Sequence, residues 1–178
     1  LKLERAEKVK KVVVIGGGPG GMKAALTAAE RGHQVILLER SERLGGQINC
    51  SDYDDYKQDL KRYRDYLLTQ VKKSTVEVRL NTEATPEMVR ELEPDALIIA
   101  VGADVVTPAI PGVEHAKQAV EAYTHLNEMR GKIVVIGGGT IGSEIGLELA
   151  ERGNTVHIVE ITDTLNAQGN MLYRIAIR

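Results

Sequence analysis

The stretch Lys11–Glu39, KVVVIGGGPGGMKAALTAAERGHQVILLE, constrains this chain more than any other. It reads as one βαβ unit. Val12–Ile15 is an aliphatic run suited to a buried parallel strand. Gly16, Gly18 and Gly21 then fit G-x-G-x-x-G. The first permits a tight turn, the second lets backbone approach a pyrophosphate, and the third lets the following helix pack close to the strand. Pro19 stands where the helix begins and needs no N–H there. Gly32 stops the helix as a left-handed cap. Val35–Leu38 is the second strand. Glu39 closes it, 23 residues after Gly16, where an acid can bond ribose hydroxyls.

Lys132–Glu160, KIVVIGGGTIGSEIGLELAERGNTVHIVE, repeats this unit at a constant offset of 121 residues. Gly16, Gly18, Gly21, Gly32 and Glu39 map onto Gly137, Gly139, Gly142, Gly153 and Glu160. Even Ala29-Glu30-Arg31-Gly32 recurs as Ala150-Glu151-Arg152-Gly153. A lone fingerprint is a weak signal. Two, each between a strand and a helix and each with an acid in place, point to two dinucleotide sites. Present only twice and widely spaced, the repeat is not a solenoid.

The chain's 178 residues suffice for one full domain, or for one and part of a second. A net charge of −2 gives no global attraction to nucleic acid or anionic membrane, and neither is expected as a partner. No apolar run is long enough to span a bilayer. The single cysteine, Cys50, excludes an internal disulfide and suits a reducing cytoplasm, the expected location. His33, His115, His125 and His157 are scattered without zinc-ligand spacing, so no metal site is expected. With no Phe or Trp, any stacking on a flavin or base falls to Tyr, Arg or aliphatic groups. The chain begins with Leu1 and stops at Arg178, soon after the second unit. A doubly wound domain needs more strands, so a piece of a longer polypeptide is expected. A half-built sheet exposes an edge, which predicts a homo-oligomer or a mobile C-terminal region.

Between the repeats, residues 41–52 read as a loop whose Gly45-Gly46 pair allows unusual backbone angles. Residues 53–72 read as an amphipathic helix with a core stripe of Tyr56, Leu60, Tyr63, Leu67 and Val71. Val76–Leu80 alternates as a strand. Thr85 caps a short helix that starts at Pro86. Ala96–Val101 reads as a central strand ending at Gly102. Pro108 and Pro111-Gly112 mark a boundary. Residues 117–129 are expected to be helical, and the tail 161–178 to begin as a loop and turn helical near its end. The expected organisation is a linker at 1–10, an incomplete FAD- or ADP-binding domain at 11–108, a connection at 109–130, and the first part of an NADH-binding domain at 131–178. The fold class is α/β: a Rossmann-like FAD/NAD(P)-binding fold with a parallel sheet and flanking helices, followed by a partial second βαβ domain.

In their order, GGGPGG, LLER, LGGQ, IIAVGA…PAIPG and VVIGGGTIGSE resemble the two-dinucleotide-binding-domain flavoproteins. The LGGQ stretch, the helix after it and VEVRLNTEATPEMV most resemble the C-terminal half of the NADH:flavin oxidoreductases, the group of 2,4-dienoyl-CoA reductase, 2-enoate reductase and trimethylamine dehydrogenase. The resemblance implies that the first unit holds the ADP half of FAD, or ADP itself in some members. Gly16, Gly18, Gly20 and Gly21 would face the pyrophosphate and Glu39 the adenosine ribose. Arg40, Gly46 and Gln47 would line the path, Glu83-Ala84 would lie near adenine, and Ala100, Val101 and Gly102 would cross the cofactor. The second unit would hold NADH through Gly137, Gly139, Thr140, Ile141 and Gly142, with Glu144 near the nicotinamide and Glu160 on the ribose. The family's barrel half, with FMN and an iron–sulfur cluster, is absent from this sequence and would be the missing partner in the same polypeptide. The family's usual Ala-Thr-Gly is Ala100-Val101-Gly102 here, so one hydroxyl contact is lost.

The expected function is a nucleotide-binding part of a flavoprotein oxidoreductase that passes hydride from NADH to FAD and electrons onward to an acceptor outside this chain. No side chain stands out as catalytic acid, base or nucleophile. Glu160 would repel a 2′-phosphate, and Ile161 and Thr162 rather than an arginine follow it immediately, which favours NADH over NADPH. The other reading is a non-catalytic module that holds ADP permanently, as in trimethylamine dehydrogenase-like proteins.

Overall fold

A computed structural model describes residues 3–167 together with Gly169, Met171 and Ile175. It divides into two compact units, 1–104 and 105–178.

In the first unit β1 (Lys11–Ile15), β2 (Gln34–Leu38), β3 (Glu77–Arg79) and β4 (Ala96–Ile99) form a four-stranded parallel sheet in the order β3-β2-β1-β4. Parallel strands need crossovers. Helices α1 (Pro19–Glu30), α2 (Gln58–Lys73) and α3 (Pro86–Glu91) supply them. On one face Val12, Val14, Val35 and Leu37 pack against Met22 and Ala25 of α1 and Leu67 and Val71 of α2. On the other, Val13, Ile36 and Leu38 meet Ala84, Met88 and Leu92 in and around α3. Burial on both faces is why β1 and β2 are aliphatic without alternation. The expected caps are present: Pro19 and Pro86 open their helices, Thr85 Oγ1 accepts the Met88 N–H at 3.2 Å, and Gly32 has φ +92°.

Three expectations are corrected here. The helix at 53–72 starts later, at Gln58, after 3₁₀ turns at Gly46–Asp52 and Asp55–Lys57. Its buried stripe is Arg64, Leu67 and Val71, whereas Tyr56, Leu60 and Tyr63 are exposed. Arg64 can be buried because its guanidinium bonds Asp52 and Asp65, each at 2.8 Å. The hydrogen bond from Arg64 holds the Asp52 carboxyl below the usual carboxylate range, and Asp52 in turn raises Arg64. This pair pins the loop after β2 onto α2. Finally, among the described residues β4 is an edge strand rather than a central one, and Leu97, Ile99 and Val101 are exposed.

In the second unit β5 (Lys132–Ile136) and β6 (Thr155–Val159) pair in parallel, joined by α5 (Thr140–Glu151). Ile145 and Leu149 of α5 are buried. Gly146 lets α5 come down onto β6: a Cβ there would stand 2.8 Å from Ile158 Cδ1. The helix expected at 117–129 is reduced to one turn, α4 (Ala119–Ala122), and a 3₁₀ turn at Tyr123–His125. Ala122, Tyr123 and Leu126 are nevertheless buried. The helical end expected of the tail falls mostly outside the described residues.

Candidate functional site

Each Gly-rich turn is closed by its own acid. Gly16 and Gly137 adopt φ +101° and +97°, which only glycine takes without strain. Gly21 lets α1 rest on the turn: a Cβ there would stand 1.8 Å from the Gly16 carbonyl oxygen. Gly142 has the same 1.8 Å relation to Gly137. Ala100 crosses the turn, and a Cβ on Gly16 would meet its carbonyl oxygen at 2.3 Å. Gly46 brings backbone against backbone: its Cβ would lie 3.0 Å from Gly18 Cα. Both Gly45 and Gly46 have positive φ, as the glycine pair promised.

The acids reach back over the turns. Glu39 Oε2 accepts the Gly17 N–H at 2.6 Å, and Glu160 Oε2 accepts the Gly138 N–H at 2.6 Å. Glu39 Oε1 takes the backbone N–H and hydroxyl of Ser41 at 2.8 and 2.7 Å. Burial pushes the Glu39 carboxyl up, but the Ser41 and Gly17 hydrogen bonds and the Arg40 charge outweigh it, and the group sits below the ordinary glutamate range. Glu160 is likewise lowered, first by the Thr162 backbone N–H and then by that of Gly138.

Sequence reasoning missed the middle glycines, Gly17 and Gly138. A Cβ on Gly17 would stand 2.4 Å from Leu44 Cδ2 and 2.8 Å from Glu39 Oε2. One on Gly138 would stand 2.5 Å from Leu165 Cδ2 and 3.1 Å from Glu160 Cβ. The repeat therefore runs past the acids, since Ser41 matches Thr162 and Leu44 matches Leu165 at the same offset of 121. It ends at a positive-φ residue, Gly45 or Asn166, whose N–H bonds the carbonyl of Gly17 or Gly138 at 2.9 and 2.6 Å. The signal was in the sequence, as an aligned hydroxyl and leucine.

The geometry fits a dinucleotide. Helices α1 and α5 each start at an extended glycine, Gly18 or Gly139, with no side-chain cap on the first-turn N–H groups. Such uncapped donors at a positive helix end suit a phosphate. The space before them is open. A Cβ on Gly20 or Gly139 would meet nothing within 4 Å, and one on Gly18 only Gly46 Cα at 4.0 Å.

In the first unit Gly16, Gly18, Gly21, Glu39, Gly46 and Ala100 converge on this turn. Gln47 is tied beside it, its Nε2 donating to the Ala103 carbonyl at 2.9 Å. Gly102, at φ +78°, turns the chain just before. The 82–84 segment lies at the end of β2, where the Thr82 N–H bonds the Glu39 carbonyl at 2.9 Å and Ala84 packs on Leu38's cluster. Arg40 is exposed. In the second unit Gly137, Gly139, Thr140, Ile141, Gly142 and Glu160 gather at the turn, with Glu144 half-buried one helical turn further on. Thr140 Oγ1 bonds Asn166 Oδ1 at 2.8 Å. Among the described residues no His, Cys, Asp and Glu side chains cluster as a metal site, and no helix is long and apolar enough to cross a membrane.

A family model described as pyridine nucleotide-disulphide oxidoreductase matches residues 10–175. Among curated proteins, NADH oxidase of Thermoanaerobacter brockii is 42% identical over 168 residues, covering 90% of this chain and 26% of that protein. Bilirubin reductase of Mediterraneibacter gnavus is 40% identical, covering 90% of this chain and 25% of that protein. Among solved structures, a 2-naphthoyl-CoA reductase complex superposes with a TM-score of 0.85 at 31% identity, covering 98% of this chain and 27% of that one. These relatives bear out the resemblance to the NADH:flavin oxidoreductase group and the Rossmann-like fold. The chain spans about a quarter of the length of each.

Proposed function

The chain belongs to the pyridine nucleotide-disulphide oxidoreductase family, and on that premise we propose that it is the nucleotide-binding part of an NADH-dependent flavoprotein oxidoreductase. The observation that carries this is the doubled turn: two uncapped helix starts over open glycines, each closed by a carboxylate anchored on the middle glycine. In the first unit Gly18, Gly20 and Gly46 would receive the pyrophosphate of FAD or ADP, and Glu39 the ribose. In the second, Gly139, Thr140 and Ile141 would receive that of NADH, and Glu160 the ribose. A bound flavin supplies the redox chemistry by taking up a hydride from a reduced nicotinamide. This chain's residues bind and orient. With one cysteine, the chain offers no cysteine pair for disulphide exchange. The names of the relatives, an NADH oxidase and reductases of bilirubin and 2-naphthoyl-CoA, support electron transfer from NADH to an acceptor bound elsewhere.

Calorimetric titration of the full chain with FAD, ADP and NADH tests this reading. Binding of FAD and NADH at separate sites is expected. ADP bound without FAD or NADH would replace it with the non-catalytic ADP module.

A further inference from the structure

Glu160 is held at both oxygens. Its Oε2 accepts the Gly138 N–H at 2.6 Å. Its Oε1 accepts the Thr162 backbone N–H at 2.9 Å and lies 3.1 Å from the Thr162 hydroxyl. That hydroxyl also lies 2.9 Å from the Thr164 carbonyl oxygen, so its one proton bridges the carboxylate and the chain two residues on. The first unit builds the same brace from Ser41, at 2.7 Å from Glu39 Oε1 and 2.8 Å from the Arg43 carbonyl. Recurrence at equivalent positions in two diverged copies marks the brace as part of the site rather than an accident of one loop.

The Gly138 N–H, the Thr162 N–H and the Thr162 hydroxyl fix the plane of the Glu160 carboxylate, which stays half-exposed to a ligand. A ribose hydroxyl donates to its open side. A 2′-phosphate instead brings a second anion against a charge that cannot swing aside. Without the hydroxyl, two backbone N–H groups alone hold the carboxylate, which then yields more readily to a phosphate at the expense of its bond to the ribose hydroxyl.

We propose that Thr162 is a positioning residue of the second site: through Glu160 it makes that site accept a free ribose 2′-hydroxyl and reject a 2′-phosphate. This rests on the reading of the second unit as the NADH site.

The test is calorimetry of the full chain with NADH and with NADPH, in wild type, Thr162→Val and Thr162→Ser. Valine removes only the hydroxyl and keeps the backbone N–H. NADH affinity should fall about five-fold in T162V, a hydrogen bond to a charged group lost at a partly exposed site. NADPH affinity should hold or rise, so the preference shrinks. T162S should restore the wild-type ratio. The Glu160 carboxyl, followed by carbon NMR titration, should shift upward in T162V alone. Equal weakening of both coenzymes in T162V, or an unchanged ratio, overturns the proposal. If the wild-type chain binds neither coenzyme, the reading of the second unit fails and this inference falls with it. If wild type prefers NADH and the T162V ratio is unmoved, only this inference falls.

Discussion

The two βαβ units share their turns but not their surroundings. Val13 and Val134 are equivalent in the repeat; the first is 0% exposed and the second 61%. Leu38 and Val159 differ likewise, at 1% and 57%. In the first unit α3 and the 84–92 segment cover that face of the sheet. In the second unit the same face stands open among the described residues, and His157 occupies the place of the buried Ile36. Yet both turns have the same glycine angles and the same 2.6 Å bond from acid to middle glycine. The turn geometry is therefore built by strand, turn, helix and acid alone.

The largest effects should fall on what the units share. Gly21→Ala and Gly142→Ala each drive a Cβ to 1.8 Å from a backbone oxygen, so backbone must move in both. We expect each to cost about 3 kcal/mol, as overpacking does, read by urea unfolding. A tolerant G142A beside a damaging G21A would show that the second turn is looser than its geometry. Next comes what they do not share. Val13→Ala should cost about 2 kcal/mol through lost burial and a cavity. Val134→Ala should stay within about 0.5 kcal/mol, as exposed substitutions do. Comparable losses for the two would mean that the open face is covered in solution.

How much of this could be read from the sequence follows from how local each cause is. The turn glycines, the proline at N1 and the acid act within one βαβ unit, so their pattern announces them. Gly17 sits at an x of G-x-G-x-x-G, and what demands a glycine there is Leu44 and Glu39, far along the chain. Helical spacing in α2 gave a tyrosine-lined stripe, but Asp52 lets Arg64 into the interior and turns the buried face. Which face of a helix is buried depends on partners the period does not name. An aliphatic run such as Ala96–Ile99 reads as central because it carries no record of how many strands flank it.

Glu39→Gln and Glu160→Gln sharpen the comparison at the site itself. A glutamine must set an NH₂ against at least one of the donors that Glu39 now satisfies at 2.6 to 2.8 Å. Glu39 is buried, and we expect E39Q to destabilise the first unit by about 1.5 kcal/mol. Glu160 is half-exposed, so E160Q should leave thermal stability nearly unchanged while weakening NADH binding. A matched loss of stability in both variants would contradict the difference in burial.

The smallest effect is that of pH, and its sign is fixed by the direction of the two shifts. Both carboxyl groups lie below the ordinary glutamate range in the folded chain. The unfolded chain then binds more protons between the folded value and the unfolded one, about 4.3. The stability that Glu39 contributes is complete above the unfolded value and is lost as pH falls through the lower folded one. Unfolding free energy attributable to this carboxylate should be flat from neutrality down to about pH 5 and decline in more acid solution. E39Q, which has no proton to take up there, should remove that part of the decline. A wild type and an E39Q variant with parallel acid limbs would show that the hydrogen bonds from Gly17 and Ser41 do not hold the ionised form. E160Q, with its acid at the surface, should alter the acid limb less than E39Q does. The order of the two is thus a direct reading of how far each acid is buried.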